Sequence, residues 1–115
     1  TYSKIKTAFQ VEKGEKLCIV IALGYGETQG LPHKSKSMEE VIQLDGPAPE
    51  WFQKGVEAAL LAPTAMNQQK FLFRLDKNRV SVKAGFGFYT KIDMGIVKYH
   101  FEIGAGKEHF QWELS

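Results

Sequence analysis

The feature that most constrains this chain is a change of period at one proline. Before Pro63, the residues Phe52, Val56, Ala59 and Leu60 recur at helical spacing, and Trp51, Gly55, Ala58 and Ala62 form the adjoining row. Pro63 biases Ala62 away from the helical region and ends that helix. After it, Phe71, Phe73 and Leu75 alternate with Leu72, Arg74 and Asp76. Val80, Val82 and Ala84 alternate in turn with Arg79, Ser81 and Lys83. Asp76-Lys77-Asn78 separates the two runs, so the pattern predicts a β-hairpin. A helix handing over to a hairpin leaves a short polar junction, Pro63 to Phe71.

The remaining elements follow from similar patterns. Thr1 to Lys16 is mixed and polar, with an exposed turn expected over Val11 to Lys16. Leu17 to Leu23 is continuously apolar and predicts a strand buried on both faces. Cys18 in that run reads as a small buried hydrophobe. The run stops at Gly24-Tyr25-Gly26, and a loop continues to Ser37. Ser37 and Glu40 have capping-box spacing, which predicts a short helix from Met38 to Leu44, ended by Asp45-Gly46-Pro47. Pro49 suits the first turn of the helix that leads to Pro63.

Thr90 is the expected cap of a third helix, with Asp93 favourable in its first turn. Its polar residues Lys91, Lys98 and Glu102 share one narrow stripe. Ile92, Met94, Ile96, Val97, Tyr99, Phe101 and Ile103 occupy the rest, as in a central, packed helix. Gly95, Gly104 and Gly106 would let neighbours approach closely. A short strand is expected within His109 to Leu114. The order strand, helix, helix, hairpin, helix, strand is that of an α+β domain, with helices packed on a mainly antiparallel or mixed sheet around a buried central helix.

Composition excludes several classes. A chain of 115 residues fits one domain, or part of a larger one. Its net charge of +2 is too small to imply nucleic acid or an anionic membrane as partner, yet it allows a local anion site. One cysteine excludes an internal disulfide, and no cluster has zinc-ligand spacing, so no metal site is expected. A reducing, cytoplasmic compartment is the simpler expectation. No apolar run approaches the roughly 20 residues needed to span a bilayer, and no signal-peptide pattern opens the chain.

Two segments could carry chemistry. The loop from Gly24 to Lys36 has glycines at 24, 26 and 30, followed by His33-Lys34-Ser35-Lys36. Lys34 and Lys36, with a helix start just after, suit an anion such as a phosphate; the alternative is a solvated basic loop. It is not a Walker loop, since no Gly-Lys-Ser/Thr follows at the required spacing. The second segment is the junction itself. Its amides offer donors and acceptors that suit a ring edge alternating carbonyl and N–H. The alternative is an ordinary connection that hydrogen-bonds its own backbone. His100 reads as a satisfied core histidine, and His33 and His109 lack carboxylate or cysteine partners at ligand spacing. Glu39-Glu40 reads as an exposed first turn. Trp51-Phe52 and Phe86 to Tyr89 read as core or interface, with ring stacking as an alternative for one aromatic of the latter group. No residue is assigned as catalytic.

The stretch Ala59-Leu60-Leu61-Ala62-Pro63-Thr64-Ala65-Met66-Asn67-Gln68-Gln69-Lys70-Phe71 resembles the helix-end motif of the nitroreductase family, Ala-Pro-Ser-Ser-x-Asn-x-Gln-Pro-Trp. Pro63, Asn67 and Gln69 match directly. Thr64 and Ala65 replace the serines, Lys70 the proline and Phe71 the tryptophan. Ile21-Ala22-Leu23-Gly24-Tyr25-Gly26, followed by Lys34 and Lys36, is similar to a family strand ending in Gly-Tyr-Pro and a Lys-x-Arg pair. Ile92-Asp93-Met94-Gly95-Ile96 resembles the family's Asp-x-Gly core helix.

The resemblance implies a flavin mononucleotide (FMN) site with Pro63, Thr64, Asn67, Gln69, Gly24, Tyr25, Gly26, Lys34 and Lys36 as its cofactor-binding residues. It implies a reductase that carries hydride from NAD(P)H through FMN to a small-molecule acceptor, a nitroaromatic, quinone or similar compound. Two other functions fit the same residues: a flavin- or nucleotide-binding module without turnover, and a structural half that completes a pseudo-dimer. The family's Arg-Arg-Ser-x-Arg opening motif is missing, and the Gly-Tyr segment precedes the Pro63 segment instead of following it. That order resembles the second half of an internally duplicated member. Residues 1–115 are then expected to be one nitroreductase-like half-domain, the C-terminal part of a longer protein, partnered by a second half or subunit. Thr1 as first residue agrees with that expectation.

Overall fold

A computed structural model describes residues 8–114. The first seven residues of the polar opening segment lie outside them. The chain divides into two units, Thr1–Leu31 and Pro32–Ser115.

In the first unit, the expected turn is present. Glu15 N donates to Glu12 O, and Glu12 N donates to the Glu15 carboxylate at 3.0 Å. The expected buried strand is not. Leu17 to Leu23 has no strand geometry, and Ile19, Ile21 and Leu23 are exposed. A strand needs a neighbour's backbone groups, and every ladder among the described residues joins other segments. Cys18 is likewise exposed, contrary to expectation, with Sγ 3.5 Å from Lys16 O.

The second unit holds a set of helices and four strands among the described residues. In chain order they are α1 (Met38–Val41), β1 (Ile42–Gln43), α2 (Glu50–Leu60), β2 (Phe71–Asp76), β3 (Arg79–Ala84), α3 (Thr90–Ala105) and β4 (Gln111–Trp112). Short 3₁₀ turns occupy Ala65–Asn67 and Lys107–His109. The sheet order is β1-β2-β3-β4; β1 and β4 run parallel to their neighbours, and β2 and β3 form the expected antiparallel hairpin. The sheet is therefore mixed. The first predicted helix is shorter than expected: it ends at Val41, because Ile42 and Gln43 become extended and pair with Phe73 and Arg74. Its capping acid is in place, since Ser37 N donates to the Glu40 carboxylate at 2.8 Å. That bond holds the Glu40 carboxyl below its ordinary range.

The register Phe73↔Val82 and Leu75↔Val80 puts these residues on one sheet face. Helices α2 and α3 contribute Phe52, Val56, Val97 and Phe101 to the same core, all fully buried with Phe73 and Val80. The Phe73 and Phe101 rings stack at 4.8 Å, and Phe52 meets Phe101 edge-on at 5.7 Å. Burial of each such side chain contributes about 1.5–3 kcal/mol. The two helices meet without room for more atoms. A Cβ on Gly55 would lie 2.6 Å from the Phe101 ring, and one on Gly104 would lie 2.6 Å from Ala58 Cβ. Of the three glycines expected to permit close approach, only Gly104 does so for a neighbouring helix. Gly95 faces open space, and Gly106 takes φ +77 at the helix end, which a glycine adopts without strain.

α3 is not buried around its circumference. Asp93, Val97, Phe101 and Ala105, spaced by four, form its buried stripe. Ile92, Tyr99 and Ile103 are exposed. Within the described residues, α2 and the sheet supply only one covering face.

Candidate functional site

The junction after α2 is built from the proline outward. Leu61 N and Ala62 N bond to Ala58 O and Ala59 O, which closes the last turn before Pro63. The chain becomes extended at Thr64 and then tightens, with Asn67 N bonded to Thr64 O and Gln68 N to Ala65 O, both at 3.0 Å. Three residues here have positive φ: Met66 at 52°, Asn67 at 51° and Gln69 at 44°. Asparagine tolerates that region. Methionine and glutamine do not, and such backbone costs on the order of 1–3 kcal/mol per residue. Three left-handed residues within four positions require bonds that hold them there.

Gln69 supplies one set. It is only 2% exposed. Its Nε2 donates to Lys34 O and to Asn67 Oδ1, both at 2.7 Å, and its Oε1 accepts from Lys36 N at 2.8 Å. Its backbone N donates to Thr64 Oγ1, and its carbonyl accepts from Lys36 Nζ at 3.1 Å. Asn67 Nδ2 adds a second bond to Lys34 O at 2.8 Å. The structure therefore brings Thr64, Asn67, Gln69, Lys34 and Lys36 together as the sequence suggested, and Pro63 lies beside them, exposed, at the head of the turn. Gly24, Tyr25 and Gly26 lie in the first unit, where Tyr25 is exposed.

The arrangement sorts these residues by what they have left to offer. The Gln69 side chain has both N–H groups and its oxygen engaged within the chain, so it positions its neighbours. Thr64 Oγ1 accepts from Gln69 N and keeps its own proton to donate. Asn67 is exposed and keeps one of its two N–H groups. Lys34 is exposed and forms no ion pair among the described residues. Lys36 is half-buried, with one ammonium proton on Gln69 O.

Two further residues belong to the site but were not in the sequence-derived set. Asp93, 4% exposed in the first turn of α3, accepts from Ala65 N at 3.0 Å and from Gln68 Nε2 at 2.6 Å. Its charge also sits where the helix dipole favours an anion. Gln68 Nε2 donates as well to Phe88 O at 2.6 Å. The available signals were a third amide between two candidate amides, and an acid whose first-turn position already had a sufficient local explanation.

The other candidates are occupied locally. His100 Nδ1 bonds to Ile96 O at 2.9 Å and His109 Nδ1 to Ala105 O at 2.8 Å. Among the described residues, no group of three His, Cys, Asp or Glu residues could hold a metal, and no helix is long and apolar enough to cross a membrane.

The family described as "Putative TM nitroreductase" matches residues 1–105. No curated protein and no solved structure matches the chain. The family match spans the polar turn, the two lysines and the Asp93 helix together, and the chain belongs to this nitroreductase family.

Proposed function

We propose that the turn from Pro63 to Gln69, with Lys34 and Lys36, is the chain's contribution to an FMN site of an NAD(P)H-dependent reductase. The observation that carries this reading is the set of unused donors. Thr64 retains an O–H and Asn67 an N–H on a turn fixed by other bonds, and a cationic segment is tied directly to it. Donors of this kind fit the carbonyl-bearing edge of a flavin ring, and the Lys34 and Lys36 ammonium groups fit a phosphate. When bound, FMN supplies the hydride and electron transfer. The chain's own residues orient the ring edge, through Thr64 and Asn67, and neutralise the phosphate. Gln69 keeps both parts in register. The acceptor is a nitroaromatic, a quinone or a similar small molecule.

The motif order supports a second element of the proposal, that this chain is one half of an internally duplicated protein whose other half or partner subunit completes the site. An intact mass of the native gene product well above 13 kDa supports that element; a native product of this length sinks it.

The test is a visible absorption spectrum of the purified full-length protein, followed by a turnover assay with NADH or NADPH and a nitroaromatic acceptor. Bound flavin with turnover is the expected result. Bound flavin without turnover leaves a binding module, and absence of flavin leaves the structural-half function. Asn67→Ala is expected to weaken FMN retention about tenfold, since it removes the proposed donor to the ring together with the bonds to Lys34 O and from Gln69 Nε2 that hold the turn. Unchanged affinity removes Asn67 from the site.

A further inference from the structure

The segment Gly85-Phe86-Gly87-Phe88-Tyr89 joins β3 to α3 and exposes all three of its rings, Phe86 completely. Exposed aromatic loops are ordinarily loose. This one has its backbone tied at Gly85, Phe86 and Phe88. Gly85 N donates to Lys70 O at 2.9 Å, Lys70 Nζ donates to Phe86 O at 2.9 Å, and Gln68 Nε2 donates to Phe88 O at 2.6 Å. Gly87 lets the Gln68 amide come close; a Cβ there would lie 2.6 Å from Gln68 Oε1. Tyr89 holds a left-handed backbone at φ 55, and its ring meets Phe88 edge-on at 5.1 Å.

The side chains that fix this loop from outside are Gln68, in the candidate flavin turn, and Lys70, which directly follows it. Gln68 is also held by the buried Asp93 carboxylate. The loop and the turn are thus one rigid piece, with Asn67 adjacent in sequence to the residue that carries Phe88. We propose that Phe86, Phe88 and Tyr89 form the acceptor-side wall of the same site, recognising an uncharged planar aromatic acceptor by ring stacking, and that Gln68 is the positioning residue that sets the wall. This rests on the flavin reading for its catalytic consequence. Ring contacts favour such a molecule through their faces and edges. The one cation on the turn nearest the loop, Lys70, is tied to a carbonyl. Fixing the loop backbone beforehand removes part of the ordering cost that a mobile loop would bring to binding.

The test uses the full-length protein and menadione, a planar quinone. Phe86→Ala, Phe88→Ala and Gln68→Leu are compared with the unmodified protein. Menadione affinity is read directly by saturation-transfer NMR, and KM and kcat with menadione are read in the assay. Phe86 and Phe88 are exposed in this chain, and a thermal melt checks that each ring variant keeps its fold. The ring variants are expected to weaken menadione binding about three- to tenfold and to raise KM in step, with FMN affinity unchanged. Gln68→Leu is expected to weaken both FMN and menadione, since it frees the turn and the loop together. Unchanged menadione affinity in both ring variants overturns the proposal, and is the result expected if a protein partner covers the loop instead. If the unmodified protein binds no FMN, the flavin reading fails by itself; the NMR titration still decides whether the wall binds planar rings.

Discussion

The α2–α3 seam and the Thr64 to Lys70 turn are held in opposite ways. The seam is mainly apolar: aromatic and aliphatic side chains fit against two glycines. The turn carries three left-handed backbones and an amide or hydroxyl at four of its seven positions, Thr64, Asn67, Gln68 and Gln69, and its side-chain bonds reach three other segments. Apolar packing is non-directional. Hydrogen bonds fix orientation. The contrast shows where stability and placement reside: the seam keeps the unit folded, and the turn keeps a few donors at fixed positions. Substitutions in the seam should therefore change stability most, and those in the turn should change ligand affinity out of proportion to stability.

The largest expected effect is at the centre of the seam. Phe101 touches Phe52, Phe73, Phe110, Trp112 and the surface of Gly55. Phe101→Ala should destabilise the unit by ~3–5 kcal/mol, read as a lowered urea midpoint. Gly104→Ala comes next. Its Cβ meets the backbone of Lys54 and the Ala58 side chain, so the helices must separate, at a cost of ~3 kcal/mol. A neutral Gly104→Ala would show that the seam yields, and would remove the contrast with the turn.

How far the sequence reveals these regions depends on the range of the forces involved. The α2 side of the seam was legible, because helical spacing placed Phe52 and Val56 on one face. So was the hairpin, from period two. The strand at Leu17 to Leu23 was misread: an apolar run reports a tendency to be buried, whereas a strand also needs a partner ladder that the run cannot specify. α3 was misread for a related reason, since Ile92, Tyr99 and Ile103 look like core residues in a helical projection whether or not anything covers them. In the turn, the family resemblance singled out Thr64, Asn67, Gln69 and the lysines, where residue types alone left an ordinary connection open. Their division into donors left free and donors engaged could not be read, because it depends on bonds between residues 28 to 35 positions apart. Asp93 was hidden by having a good local reason to be where it is.

Within the turn, Asp93→Ala should cost ~2 kcal/mol, because it leaves the half-buried Ala65 N without an acceptor and the Gln68 amide with Phe88 O alone. Its effect on FMN affinity should exceed that of Gly104→Ala, measured by flavin fluorescence under conditions where both variants are folded. The reverse ranking would mean that the turn is held by the seam and not by its own bonds. Gln69→Leu sharpens the same point: it keeps the volume but frees the Lys34 to Lys36 segment, so FMN affinity should fall with little change in the urea midpoint beyond that of Asp93→Ala.

The smallest effect tests a bond that belongs to neither region. The Glu102 carboxylate accepts from Lys107 Nζ at 2.7 Å and from Trp112 Nε1 at 2.9 Å, tying β4 to the end of α3. The bond from Lys107, then that from Trp112, hold its carboxyl below the ordinary glutamate range. A carboxyl lowered in the folded state stabilises it fully above the unfolded value, and the contribution is lost as pH falls through the folded value. The urea midpoints of the unmodified protein and Glu102→Gln should therefore differ by a constant amount at neutral pH. The gap should close as pH drops beneath the ordinary glutamate range. A gap that ignores pH would mean that Glu102 acts through packing alone. The closure should also leave FMN affinity unchanged, since no bond from Glu102 reaches the turn; a parallel loss of flavin would show that the strand edge and the turn are coupled, and would redraw the division between a stabilising seam and a placing turn.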